Sequence, residues 1–162
     1  MAVDIFLKIE GAPIKGEAQD AKHKDEIDVL AWSWGITNSG NAQVGGGSGS
    51  GKVNVHDLSI TKYVDKASTD LFLHACNGQH HDTATLVVRK AGTTPVEYLK
   101  ITMSQVFITS VSSGGSHGED RLTENVSLNF AKVKVEYTPQ GADGSPSGTQ
   151  TTGWDIAKNE KA

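Results

Sequence analysis

Residues 46–52 read GGSGSGK, with Gly46, Gly51 and Lys52 at the spacing of the phosphate-binding pattern G-x-x-x-x-G-K-[ST]. In that pattern backbone N–H groups and the lysine hold phosphates, and a closing hydroxyl binds Mg²⁺. The closing place is Val53, which has no hydroxyl. The chemistry also needs a strand just before the loop and a helix just after it. Residues 53–60 instead alternate with period two and are rich in β-branched side chains. The glycines are therefore expected to form a connecting loop.

Residues 114–118, GGSHG, fit the nucleophile-elbow pattern G-x-S-x-G. An elbow requires a strand, a sharp turn and a helix, with an acid and a histidine later in the chain. No histidine follows His117 and the downstream segment has a strand pattern, so a hairpin loop is expected. Six histidines (His23, His56, His74, His80, His81, His117) show no CxxC, HxH or HExxH spacing. The adjacent pair His80–His81 would point to opposite faces of a strand, a poor chelating arrangement. They are expected on the surface or in loops, and no metal site is assigned. The lone Cys76 is placed on the inner face of a helix, which argues against a nucleophile. Glu119 and Asp120 beside Arg121 read as a solvated ion-pair group flanking a turn. No catalytic residue, cofactor or metal ligand is assigned.

The elements that would position these residues are mostly strands. Val3, Ile5, Leu7 and Ile9 alternate with Asp4, Phe6, Lys8 and Glu10, the period of a strand with one buried face. Residues 10–26 read as a loop. Glu26–Trp34 follows as a second strand, with Leu30, Trp32 and Trp34 on one face and Val29, Ala31 and Ser33 on the other. After a Gly/Ser/Asn-rich stretch, Lys52–Thr61 alternates again and changes phase at His56–Asp57, suggesting a bulge or bend. One helix of about ten residues is expected, capped by Ser68 or Thr69 and closed by Gly78. Its pairs Leu71/Ala75 and Phe72/Cys76 would lie on one side. Strand patterns resume at 84–90, 96–111 and 122–137. The last changes phase near Ala131–Lys132, where a bulge would let it bend around a barrel. Residues 96–111 are apolar in both phases, so a helix or another subunit must cover part of the second face. Residues 139–153 look mobile by composition, with Trp154 placed to dock as a short terminal strand.

Bulk properties bound the rest. The chain has 162 residues, 36% hydrophobic and 21% charged, with a net charge of −4. That suits one soluble domain with a sizeable core. No basic stretch interleaved with aromatics is present, so nucleic acid is not an expected partner. No apolar run approaches the ~20 residues that span a bilayer. The N-terminus has no signal-peptide pattern, and one cysteine cannot form an internal disulfide, which fits a reducing compartment.

Several blocks occur in an order that resembles the Hcp (haemolysin-coregulated protein) family of the bacterial type VI secretion system. They are EIDVLAWSWG at 26–35, KVNVHDLSITKYVDKAS at 52–68, VRKAG at 88–92 and SSGGSHGEDRLTENVSLNFAKVKVEY at 112–137. The resemblance runs to about Pro139. It implies a mainly β fold, a two-sheet β-barrel with one short α-helix, assembling into a hexameric ring. Residues 1–139 would be the barrel domain and 140–162 a Gly/Ser-rich tail with a docked end segment. Rings would stack into a tube capped by a VgrG-type spike and surrounded by a contractile sheath. The tube would carry and chaperone small effector proteins and be fired from the cytoplasm out of the cell, without membrane insertion. The loop at 11–23 and the C-terminal tail vary within the family, so no role is carried over there.

A ring needs a heterologous interface between two different patches, and residues 96–111 are a candidate for one. Large Leu30, Trp32 and Trp34 would pack inside the barrel, leaving Ser33 to face the ring lumen as a contact for cargo. The loop from Asn38 to Lys52, with Gly45, Gly46, Gly47, Gly49 and Gly51, would contribute to ring–ring stacking. The competing class is a monomeric β-sandwich binding module for carbohydrate or peptide, which would need an exposed aromatic platform. A nucleotide or acyl hydrolase rests only on the two imperfect loops.

Overall fold

The computed structural model describes residues 2–40 and 51–162. Along the chain run β1 (Val3–Glu10), β2 (Ile27–Asp28), β3 (Ala31–Ser33), β4 (Ile36–Asn38), β5 (Val53–Val55) and β6 (Leu58–Tyr63). Helix α1 (Ala67–Asn77) follows, then β7 (His80–Lys90), β8 (Glu97–Gly114), β9 (Thr123–Tyr137), β10 (Gln150–Asp155) and β11 (Glu160–Lys161). All pairings are antiparallel.

Two long strands build two sheets. Residues 123–128 of β9 pair with β6, which pairs in turn with β3. Residues 132–137 of β9 pair with β10 instead. Strand β8 follows β9 throughout, but its pairing with β7 ends at Phe107. One sheet is therefore β3-β6-β9-β8, and the other is β11-β10-β9-β8-β7-β1-β2. The corner lies where Ser104↔Lys132 and Val106↔Phe130 flank Gln105, which adopts φ 54°. Both strands change phase there: Met103 and Val106 are buried on β8, Phe130 and Val133 on β9. The bend expected near Ala131–Lys132 is present, and it is shared by the partner strand.

The barrel closes on its other side within two residues. Val29 N–H donates to Ile5 O, and Leu30 N–H donates to Thr61 O. The chain thus passes from β1 to β6 between β2 and β3. This splits the single strand expected over 26–34. It also corrects Leu30, which is 46% exposed, while Val29 is buried. Trp32 and Trp34 are partly buried and pack against the core. Period-two reasoning failed at Leu30 because the strand changes sheets there, and with them its inward phase.

The core joins the two sheets: Leu7, Ile27, Leu58, Ile60, Leu86, Ile101, Met103, Val106 and Leu128 are at most 1% exposed. Burying each large aliphatic side chain contributes about 1.5–3 kcal/mol. On the second face of β1, Phe6 is buried under residues of the 11–26 segment, while Lys8 and Glu10 stay exposed. Gly16 N–H donates to Asp25 O and Ala18 N–H to Glu26 O. His23 stacks on Phe6 with centroids 4.4 Å apart, its ring nitrogens 2.8 Å from Glu26 Oε2 and 2.6 Å from Glu97 Oε1. Arg89 lies over the same ring and donates to Asp20 and Asp4.

Helix α1 begins slightly earlier than its sequence suggests. Asp65 Oδ1 accepts from Ala67 N–H, and Ser68 Oγ accepts from Asp65 N–H. Asp65 supplies the cap, and the Ser68 side chain turns back toward it. Gly78 closes the helix in the left-handed conformation at φ 68°. Ala67 and Leu71 face the barrel, whereas Phe72 and Cys76 are exposed. The expected inner placement of Cys76 is therefore wrong: the buried stripe runs through residues 67, 71, 74 and 75, one position away. The C-terminal region is also more regular than its composition suggests. Gln150–Asp155 pairs with β9, and Trp154 packs against the core, as its aromatic character implied.

Candidate functional site

The sheet β3-β6-β9-β8 has one face toward the core and one away from it. Core-facing residues are Leu58, Ile60 and Lys62 on β6, and Glu124, Val126 and Leu128 on β9. The alternate phase faces outward. Along one rung Ser33 pairs with Ser59, Ser59 with Ser127 and Ser127 with Ser110, a serine on each of four adjacent strands. Ser59 Oγ and Ser127 Oγ are 3.0 Å apart. The next rung reads Ala31, Thr61, Asn125 and Ser112, where Thr61 Oγ1 donates to Asn125 Oδ1 at 2.7 Å. These two rungs carry small side chains, polar except for Ala31, and no formal charge. Ser33 is exposed on this face, opposite in phase to the partly buried Trp32 and Trp34.

Charge enters only at the ends. Asp57 accepts hydrogen bonds from Thr109 at 2.6 Å and Asn129 at 2.8 Å. At the other end the Arg121 guanidinium lies 3.8 Å from the Tyr63 ring centroid. The group at Glu119–Arg121 is exposed and flanks a turn as expected, but Arg121 stacks on the Tyr63 ring of this face rather than pairing with its neighbours.

Behind the face lies a charged cluster that sequence reasoning missed. Lys62 is fully buried. Its Nζ lies 2.5 Å from Glu124 Oε1 and 2.9 Å from Asp65 Oδ1, and donates to Tyr63 O at 2.8 Å. Ser68 Oγ donates to the same Glu124 oxygen at 2.6 Å. A signal was available: Lys62 continues the inward phase of Leu58 and Ile60, and Glu124 that of Val126 and Leu128. Opposite charges at inward positions on two strands that pair have to meet.

The second candidate region is the hairpin β4–β5. Asn38 Nδ2 donates to Gly51 O at 2.9 Å, and Gly40 N–H donates to Asn38 Oδ1 at 2.8 Å. A Cβ at Gly51 would collide with the backbone of Ser39 and Gly40, so glycine is required there. Lys52 is exposed beside it. Gly45, Gly46, Gly47 and Gly49 lie outside the described residues. Trp34 Nε1 donates to His56 O at 3.0 Å and ties the hairpin base to the barrel. Between hairpin and barrel is a cavity of about 400 Å³, lined by Trp34, Ile36, Val53, Val55, Val133 and Trp154. Residues 53–55 are strand, the wrong context for a phosphate-binding loop, and residues 114–118 join β8 to β9, as a hairpin should.

Among the described residues no three His, Cys, Asp or Glu side chains are grouped to hold a metal ion. No helix of the described residues is long and apolar enough to cross a membrane. The histidines are not all at the surface: His23 and His81 are buried. Carboxylates satisfy the first, and backbone carbonyls satisfy one nitrogen of the second.

A two-sheet barrel with one short helix, an uncharged hydroxyl-rich face and a hairpin packed beside it defines a mainly β protein. Comparisons with known proteins narrow this. The family profile described as "Type VI secretion system effector, Hcp" matches residues 6–137. Protein hcp1 of Pseudomonas aeruginosa is 55% identical over 164 aligned positions, covering all of both chains. Crystallised Hcp1 from Salmonella typhimurium has a TM-score of 0.82 at 43% identity, with full coverage of both chains. A structure described as a type six secretion system protein reaches 0.92 at 30% identity, covering 99% of this chain and 100% of that one. The chain belongs to the Hcp family of type VI secretion effectors.

Proposed function

We propose that this chain is a structural subunit of the type VI secretion inner tube. Six copies close head-to-tail into a ring, with the Ser33–Ser59–Ser127–Ser110 face turned to the lumen. Rings stack, and the lumen carries and chaperones small effector proteins. The observation that carries this reading is the position of the polar face between two open strand edges. Among the described residues β3 has no partner beyond β6, and β8 has none on its second side after Phe107. Open edges at opposite sides of one sheet favour a heterologous contact that repeats from copy to copy. A continuous inner wall of hydroxyls and amides would let a folded cargo slide while offering it hydrogen bonds.

The same reading assigns Asn38, Gly51 and Lys52, together with Gly45, Gly46, Gly47 and Gly49, to ring–ring contact through the hairpin β4–β5. Its partners would be further rings of the same chain, a VgrG-type spike and a contractile sheath. The subunit would leave the cytoplasm only through the apparatus. It needs no cofactor and performs no catalysis. Native mass spectrometry together with negative-stain microscopy tests it. Closed six-membered rings are expected, and a monomer at every concentration would rule the reading out.

A further inference from the structure

Helix α1 is held to the barrel differently at its two ends. At the start, Ala67 and Leu71 are fully buried. Lys62, Asp65, Ser68 and Glu124 tie the same turn to β6 and β9. In the second half Phe72, Leu73, Cys76 and Asn77 are exposed. The inward contacts there come from Ala75 and from His74, whose ring packs on His81 with centroids 5.1 Å apart and 38° between planes. His81 is 2% exposed. Its Nδ1 lies 2.8 Å from Ala12 O and 3.1 Å from Gly11 O. Carbonyls only accept, so Nδ1 carries the proton and Nε2 keeps a lone pair. That Nε2 and His74 Nδ1 are both buried without a hydrogen-bond partner.

We propose that the contact between His74 and His81 is an acid-sensitive clasp, which packs the last turn of α1 onto the barrel while His81 is neutral and releases it when His81 is protonated. The second proton on His81 must enter at Nε2, where a new N–H would be buried, without an acceptor and beside another imidazole. Burial pushes His81 below the ordinary histidine range; the Ala12 and Gly11 carbonyls oppose this, and His74 and His80 add to it. Because the folded protein resists the proton, the clasp is closed at neutral pH and weakens as pH falls.

No neighbouring anion offsets the incoming charge. On β7, His80 turns to the opposite face against Phe107, and Asp82 is exposed with its carboxyl at Gly11. On α1, Asp70 and Cys76 are exposed. On β1, Glu10 is engaged by Lys8 and Thr83. From β8, His81 meets uncharged Val106. Among the described residues no carboxylate hydrogen-bonds to either ring. Gly11 and Ala12 both hold positive φ, 67° and 59°, a conformation that is strained for alanine. The His81 Nδ1–H bond stabilises that turn and is kept when Nε2 takes the proton, so acid loosens the α1 side of the contact.

Amide hydrogen exchange on the purified protein, corrected for intrinsic rates, tests this near pH 7 and pH 5. Protection over residues 74–82 should fall by roughly tenfold or more in acid. Protection over residues 67–71 should be retained. His81→Gln keeps a donor for the turn carbonyls but cannot titrate, and should show no acid-dependent local loss. Should that variant fail to fold, His74→Leu removes the second imidazole and should at least halve the loss. Unchanged protection in the wild type, an equal loss along the whole helix, or the same loss in the folded variant would overturn the clasp.

Discussion

Lys62 Nζ and Glu124 Oε1 meet at 2.5 Å behind the serine face, both side chains removed from water and joined to the start of α1 through Asp65 and Ser68. A buried ion pair is a costly way to fill space, because the desolvation of each ion offsets most of the attraction. Breaking such a pair leaves an uncompensated charge, whereas replacing both members removes the cost together with the gain.

Lys62→Met should therefore destabilise the subunit by about 3–5 kcal/mol. The double variant Lys62→Met/Glu124→Leu should recover much of that loss. Denaturant titration of both variants checks it; equal destabilisation by single and double variants would contradict the pairing.

Replacement of Ser33 by arginine should leave ring assembly intact and reduce cargo retention by roughly tenfold or more, about 1.4 kcal/mol. The side chain would intrude on the polar face without touching the core. Co-purification of an effector with preformed rings measures it. Unchanged retention would place cargo contacts elsewhere.

The strap over β1 gives a pH-dependent contribution. The Arg89 guanidinium holds the Asp20 carboxyl well below the usual carboxylate range, helped by the Lys22 N–H. A carboxyl depressed in the folded state adds stability above its unfolded value, near ~4, and that stability is lost as pH falls. Asp20→Asn should therefore flatten the acid side of the stability profile and leave the neutral-to-alkaline side parallel to wild type. Thermal melts across the acid range test this.

Most of the barrel was legible because its strands obey period two over long stretches, as in β1, β6 and β9. The shared corner at Gln105 and Ala131 was half legible: the phase change on β9 was visible, while the positive φ at Gln105 had no residue signature. Leu30 was misread because strand continuity hid a change of sheet. Cys76 was misread because Phe72/Cys76 was put on the same side as the adjacent pair Leu71/Ala75, and packing against the barrel buries only the latter stripe. Ser33 was correctly placed outward, but its continuation across Ser59, Ser127 and Ser110 depends on strand register, which alternation alone does not set.

Removing part of the segment 45–51 while keeping Gly51 should spare the ring and weaken stacking, since the hairpin base at Asn38 and Gly51 would remain. Tube length counted by electron microscopy reports on this. Tubes of unchanged length would make the segment a spacer.

The central claim is that the serine face lines a ring. Cryo-electron microscopy of the assembled protein tests it most directly. The predicted result is a six-membered ring with Ser33, Ser59, Ser110 and Ser127 on the channel wall and β3 beside β8 of the next copy. A ring with that face turned outward, or a protein that stays monomeric, would contradict it.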